Sequence, residues 1–448
     1  MANNVDPSAQ TQLSAPAGKI PIIIVPGIMG SRLEDSSGKR IWNPMGRPTD
    51  PMAYWDPGAV AADKTRLFDR QPLLPGKIAQ NDVGFMSSTV LYRCAPIYGI
   101  YSCILDFYGE LAWALHEQLP GLLKERGSTL VAKVYVAGYD WRQSNADSAN
   151  THLAPMVTRA LAETGAEQVV LVAHSMGGLV ARYYARNNPS KVGAYIALAS
   201  PHLGAPQPFT RLKQGVVKEK NYDDISMWFL SQLLDLSSQW EGAMLLRSFP
   251  SMYQLMANRH YFALAKDSWL TFAPEHAGYP HAAEEGGQGS PPGGIDIYDD
   301  LFAGLNERAW MRPETIVHLD AAYQFHEALT EDGKPFLPPN SYCVYTNDLP
   351  TQVHVHVPAY GRIEQRSGAN EYWGFSEDTF FGGGDAIVEV ETGDGDSAVP
   401  VASAFPQSTS RPFVASQALS GAYHGSVPVD PDAIEAVLGW VTDLYVGK

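Results

Sequence analysis

The stretch Val169-Val170-Leu171-Val172-Ala173-His174-Ser175-Met176-Gly177-Gly178 decides the fold. Its five leading apolar residues, three of them valine, read as a buried strand, and they run into a turn of small residues with a serine at its apex. A helix begins at once and continues to Asn187. Strand, sharp turn and helix together are the build of a nucleophile elbow, which lifts a serine hydroxyl above the end of a parallel sheet. Small residues are needed two positions either side of the serine, because the chain nearly touches itself there; Ala173 and Gly177 meet that demand. Ser175 is the candidate nucleophile, and acyl transfer or hydrolysis is the chemistry it predicts.

Outward from the elbow, strand and helix signals alternate, which predicts a mostly parallel sheet covered by helices on both faces. Residues 20–25 form a β-branched run ending in Pro26-Gly27, a strand entering a tight turn. Helical spacing over 107–123 (Leu111, Leu115, Leu119, Leu122) precedes a strand at 131–136, a helix at 153–162 and a further strand at 192–199. Strand signals return at 342–346, 386–391 and 412–419. Asp430 as N-cap and Pro431 at the first helical position open a closing helix, with Ile434, Val437, Leu438 and Val441 on one face. The expected organisation is a flexible polar tail at 1–18 and one α/β-hydrolase domain at 19–448, with cap insertions at 44–104 and 206–300. The stretch 286–294, rich in Gly, Pro, Ser and Gln, reads as a loop within 284–294.

Bulk properties narrow the partners. The chain has 448 residues, 45% hydrophobic and 18% charged, with net charge −16. That balance supports a large core and argues against nucleic acid and against electrostatic capture on anionic lipid. Neither a spanning apolar run nor a conventional signal peptide is visible, so the expected location is cytoplasmic, with leaderless secretion as the other route. Of the three cysteines, Cys94 and Cys103 are close enough to bridge in an oxidising compartment, and Cys343 reads as a small core residue.

A serine is a weak nucleophile at neutral pH; it needs a base, and the base needs an acid to fix its tautomer. On such a sheet the order is serine, acid, histidine. His424, the only histidine beyond His356, lies just before the closing helix and is the candidate base. Asp394 and Asp396 share the Gly-rich turn Thr392-Gly393-Asp394-Gly395-Asp396-Ser397, and spacing does not separate them; Asp385 is a weaker third choice. The oxyanion donors expected are the amides of Met176 and, in the turn Pro26-Gly27-Ile28-Met29-Gly30, of Ile28. His354 and His356 share one strand face without a third ligand at fitting spacing, so neither a metal nor an organic cofactor is expected.

These motifs resemble the lecithin:cholesterol acyltransferase family, which includes phospholipid:diacylglycerol acyltransferases and lysosomal phospholipase A. The resemblance rests on residues 25–34, Ile41-Trp42-Asn43-Pro44, Tyr139-Asp140-Trp141-Arg142, the elbow, and Ser200-Pro201-His202-Leu203-Gly204. It extends to Gly393-Asp394-Gly395-Asp396-Ser397-Ala398-Val399-Pro400, where it selects Asp396 as the acid; Ala398 departs from the family threonine. Looser matches are residues 248–251 and 345–351.

The resemblance implies a serine enzyme acting on lipid esters, a phospholipase A or phospholipid acyltransferase working through an acyl-enzyme on Ser175. It also implies a lid at 209–245. Met227, Trp228, Phe229 and Leu230 are the lid residues expected to meet substrate. An amphipathic segment beside a serine site can cover it in water and open on a lipid surface. The expected partners are a lipid substrate, a lipid alcohol acceptor and a transient membrane surface. Alternatives from the same residues are a soluble carboxylesterase or lipase for smaller esters, a binding scaffold without turnover, and a leaderless bacterial lipase effector.

Overall fold

The computed structural model describes residues 4–31, 33–34, 36, 40–42, 74–75, 108–214, 242, 245–264, 269–272, 313–357 and 389–447. Six strands make the central sheet: β1 (Lys19–Val25), β2 (Val131–Val136), β3 (Val169–His174), β4 (Val192–Leu198), β5 (Ser341–Thr346) and β6 (Ala415–Leu419). Their order is β6-β5-β4-β3-β1-β2, and every neighbouring pair is parallel. The chain steps from β1 out to β2, returns to lay β3 on the other flank of β1, and then runs outward through β4, β5 and β6. Winding therefore reverses between β1 and β3, and such a reversal opens a crevice at the carboxyl ends of the two strands. Ser175 and the 26–30 turn both lie there.

Alternation along the strands supplies two cores. Ile23, Val25, Leu171, Ala173, Tyr195 and Cys343 point to one face. Ile22, Ile24, Val170, Val172, Ile196 and Val344 point to the other. The first face is covered by α1 (Ala154–Thr164) and α2 (Gly177–Asn187) through Met156, Val157, Leu179 and Val180. The second is covered by the helical stretch 109–125 and by α3 (Pro431–Val446) through Leu111, Leu115, Val437, Val441 and Leu444. Both faces being buried is why the strands read as unbroken apolar runs. The Asp430 carboxylate accepts from the Asp432 and Ala433 amides, as the capping pattern predicts.

Two helices each contain a wide turn ahead of a proline. Ala114–Gln118 precedes Leu119-Pro120, and Ala149–Leu153 precedes Ala154-Pro155. A proline ring has no N–H to give and crowds the carbonyl four residues back, so the chain slips to an i to i+5 bond and continues. The cap amides of Leu119 and Ala154 donate to Ala114 and Ala149 accordingly.

From Asn4 to Leu13, the segment expected as a flexible tail is tied down instead. Phe413 donates its amide to the Asn4 carbonyl at 3.0 Å and accepts from Asp6 at 2.7 Å, and Leu13 donates to Leu444 at 2.8 Å. Asn340 clasps both backbone groups of Thr11. Main-chain pairing of this kind needs no apolar side chains, so polar composition gave no sign of it.

The 386–391 strand also differs. It is Glu389–Gly395, and it pairs antiparallel with Leu349–Val357 in a separate three-stranded sheet completed by Leu270–Phe272. His354 and His356 lie on the middle strand, and no group of three metal-ligating residues occurs among the described residues.

Cys343 is buried and free, its thiol pushed up by burial. The pairing of Cys94 with Cys103, the 284–294 loop, most of the 44–104 insertion and most of the expected lid, with Met227, Trp228, Phe229 and Leu230, lie outside the described residues. No helix among the described residues is long and apolar enough to cross a membrane.

Candidate active site

Ser175 has φ 52, a left-handed backbone that a serine adopts only when its surroundings enforce it. Those surroundings are close contacts. A Cβ on Gly177 would lie 2.3 Å from the Val25 carbonyl oxygen, and one on Gly178 would lie 2.2 Å from Ser200 Oγ. Helix α2 can therefore start immediately beneath β1 and β4 only because both positions lack side chains. The need for glycine at 178 is a constraint that the small-residue rule, satisfied by 173 and 177, did not contain. The turn is further held by the Ser175 amide, which donates to the Leu198 carbonyl at 2.9 Å.

His424 and Asp396 reach this serine from far along the chain. His424 Nε2 lies 2.7 Å from Ser175 Oγ, and Nδ1 lies 2.7 Å from Asp396 Oδ2. An ionised carboxylate only accepts, so Nδ1 carries the proton and Nε2 is left bare to accept from the serine hydroxyl. Asp396 is 1% exposed, and its Oδ1 accepts from the Ala398 amide at 3.0 Å and the Val399 amide at 2.7 Å. Its backbone carbonyl also accepts from the His424 amide at 2.8 Å. Asp394 is exposed and still inside the strand, opposite Pro350. Of the two aspartates that spacing left open, Asp396 is the one that touches His424; Asp385 lies outside the described residues. Thus the acid loop leaves the edge of the smaller sheet rather than the end of a central strand.

The turn after β1, expected to supply an oxyanion donor, lies beside the serine. A Cβ on Gly27 would meet Ser175 Cβ at 2.9 Å, so this turn lies against the elbow. The amides of Ile28 and Met176, the two donors expected from sequence, have no acceptor among the described residues. Two amides beside a serine with no internal partner are available to a developing oxyanion. Tyr139 and Trp141 hold this turn. Tyr139 Oη donates to the Pro26 carbonyl at 2.7 Å, and Trp141 Nε1 donates to the Ser31 carbonyl at 3.1 Å. Beneath them Arg142 pairs with Asp140 through Nε and Nη2, both residues almost fully buried. The Tyr-Asp-Trp-Arg signature therefore shapes the donor turn, with the aromatic pair holding it directly.

Two residues around the serine carried no assignment. His174 is buried, its Nδ1 2.9 Å from Tyr108 Oη and its Nε2 3.0 Å from the His424 carbonyl oxygen. Burial, with the neighbouring His424 in second place, pushes the His174 imidazole down to about 3. It is neutral wherever His424 works as a base. The residue stood in plain view in the elbow motif, but its partners are remote in sequence and no spacing announces them.

Parts of the chain are similar to known proteins. Residues 104–257 match the family model described as lecithin:cholesterol acyltransferase. Phospholipase A(1) LCAT3 of Arabidopsis thaliana is 29% identical over 147 residues, 32% of this chain and 30% of that protein. A triacylglycerol lipase of Pseudarthrobacter phenanthrenivorans is 40% identical over 90 residues, 19% of this chain and 27% of the lipase. Lecithin-cholesterol acyltransferase-like 4 of Arabidopsis thaliana is 26% identical over 255 residues, 53% of this chain and 42% of that protein. The matched segments span less than half the length of each of these relatives. Among solved structures, the crystal structure of the Tle4-Tli4 complex superposes with a TM-score of 0.55 at 16% identity, covering 95% of this chain and 98% of that one. That likeness concerns the fold. Residues 104–257 are thus similar to the lecithin:cholesterol acyltransferase family, and the central sheet has the order of an α/β-hydrolase fold.

Proposed function

We propose that the chain is a serine acyl-transfer enzyme acting on lipid esters, a phospholipase A or phospholipid acyltransferase that works through an acyl-enzyme on Ser175. One observation carries the reading: the unbroken Ser175, His424, Asp396 line, with 2.7 Å at both links. His424 Nε2 takes the hydroxyl proton as Ser175 Oγ attacks the ester carbonyl, and Asp396 stabilises the imidazolium that results. The Ile28 and Met176 amides receive the oxyanion, each such donor being worth about 100- to 1000-fold in rate. His424 then protonates the leaving alcohol, and an acyl group remains on Ser175. Water releases a fatty acid; a lipid alcohol yields a transacylated product. Family likeness over 104–257 and the phospholipase and acyltransferase names among the relatives favour a phospholipid substrate.

The bacterial triacylglycerol lipase match over 90 residues favours a second reading, a lipase or carboxylesterase for other esters. Radiolabelled phosphatidylcholine vesicles, with and without a long-chain alcohol, separate the outcomes. Native protein is expected to release labelled fatty acid or acylate the alcohol, and Ser175→Ala to do neither. Equal product from both proteins rejects the serine mechanism. Turnover of tributyrin or short p-nitrophenyl esters with none of phosphatidylcholine replaces the first reading by the second.

A further inference from the structure

Four hydrogen-bonding groups form a line from the donor turn to the back of the base. The Gly27 amide donates to Tyr108 Oη at 2.8 Å. Tyr108 Oη lies 2.9 Å from His174 Nδ1, and His174 Nε2 lies 3.0 Å from the His424 carbonyl oxygen. The direction of every bond follows from two facts: a carbonyl oxygen only accepts, and the buried His174 ring is neutral. His174 Nε2 must then carry the proton, which leaves Nδ1 a bare acceptor. The Tyr108 hydroxyl donates into it and keeps a lone pair for Gly27. With the ring neutral, no step of the line has an alternative polarity.

We infer that Tyr108 and His174 are positioning residues, locking the turn that supplies the oxyanion donor to the backbone of the general base. This rests on the reading of Ser175 and His424 as nucleophile and base. Gly27 is one residue before Ile28, and its neighbour Gly30 leaves room for the same hydroxyl, since a Cβ there would lie 2.9 Å from Tyr108 Oη. At the other end the His424 backbone is held on both sides, its carbonyl by His174 and its amide by Asp396. Because His174 directly precedes Ser175, the line closes into a ring through the nucleophile itself. Base, nucleophile and donor turn are thereby held at one mutual spacing. Positioning of this kind matters because small misplacements of reacting groups cost large factors in rate. The imidazole suits the task for a second reason. The ring centroids of His174 and His424 are 5.1 Å apart, and a buried neutral ring adds no positive charge against the imidazolium that forms on His424.

The test compares Tyr108→Phe, His174→Gln, His174→Phe and Ser175→Ala with native protein. The readouts are p-nitrophenyl butyrate turnover, the rate of fluorophosphonate labelling and Tm. Tyr108→Phe deletes one hydroxyl and is expected to lower kcat about 10- to 100-fold with KM changed less than about 3-fold, labelling slowing in parallel. His174→Gln can still donate to the His424 carbonyl and should match Tyr108→Phe, whereas His174→Phe removes both links and should fall further. Native kcat in Tyr108→Phe and His174→Phe, with Ser175→Ala inactive, overturns the inference and leaves the serine mechanism standing. Losses confined to KM, or kcat falling only as far as folded protein is lost, overturn it as well. Turnover by Ser175→Ala strikes the proposed function instead.

Discussion

Asp394 and Asp396 are two positions apart, and their surroundings assign them opposite tasks. The Asp396 carboxylate is buried, takes two backbone amides on one oxygen and the His424 ring on the other. Asp394 is exposed on the strand. Asp396→Asn should present an amide where a carboxylate must accept, turn the His424 tautomer, and lower kcat by about 1000- to 10000-fold. Asp394→Asn should stay within about 3-fold, as surface changes do. Steady-state kinetics on one ester substrate checks both, and the reverse ranking would mean that Asp394 is the acid. At this scale the sequence was legible where one residue type had few candidates. His424 was the last histidine and Ser175 the elbow serine, whereas choosing between the aspartates took family resemblance. Tyr108 and His174 were illegible because their roles exist only through partners 66 and 250 residues away.

Among elements, the elbow is the most constrained. Gly177→Ala would drive a methyl group into the carbonyl of Val25, 2.3 Å away, and into that of Pro26. Backbone is on the other side of the contact, so β1 and α2 must separate. The expected cost is about 1–3 kcal/mol of stability together with loss of activity. Gly439 is the converse case, a glycine inside α3 with open space where its Cβ would be. Gly439→Ala should raise stability by roughly 0.5–1 kcal/mol, since alanine loses less backbone freedom in a helix. Urea unfolding of both variants reads these shifts, and a destabilised Gly439→Ala or a neutral Gly177→Ala would contradict the packing described. The strands of the central sheet were readable because burial on both faces forces continuous apolar runs. The pairing of 349–357 with 389–395 was not readable, because a register between distant segments leaves no local signal. The clasped N-terminal segment was hidden for a related reason: its ties run mainly through backbone.

For the molecule as a whole, buried neutral imidazoles set the response to acid. Burial is the leading cause pushing His174, His202 and His326 down to about 3, with His424 adding to it for His174 and Arg182 for the other two. In the unfolded chain these groups titrate near the ordinary histidine value of about 6.5. Below that pH the unfolded chain takes up protons that the folded one refuses. Their contribution to stability is therefore complete above about pH 6.5 and is lost as the pH falls toward 3, at up to about 1.4 kcal/mol per group per pH unit. The urea midpoint is expected to be lower at pH 5.5 than at pH 7.5. An equal or higher midpoint at pH 5.5 would mean that these rings are not held neutral.

The proposed chemistry requires a hydroxyl at residue 175 made nucleophilic by an imidazole at residue 424. Mass spectrometry after brief exposure to a fluorophosphonate tests it most directly, with native protein, Ser175→Ala and His424→Ala compared at equal time. One adduct is expected, on the peptide containing Ser175, absent from Ser175→Ala and formed at least about 1000-fold more slowly in His424→Ala. An adduct on another residue, or equal labelling rates with and without the imidazole, would contradict it.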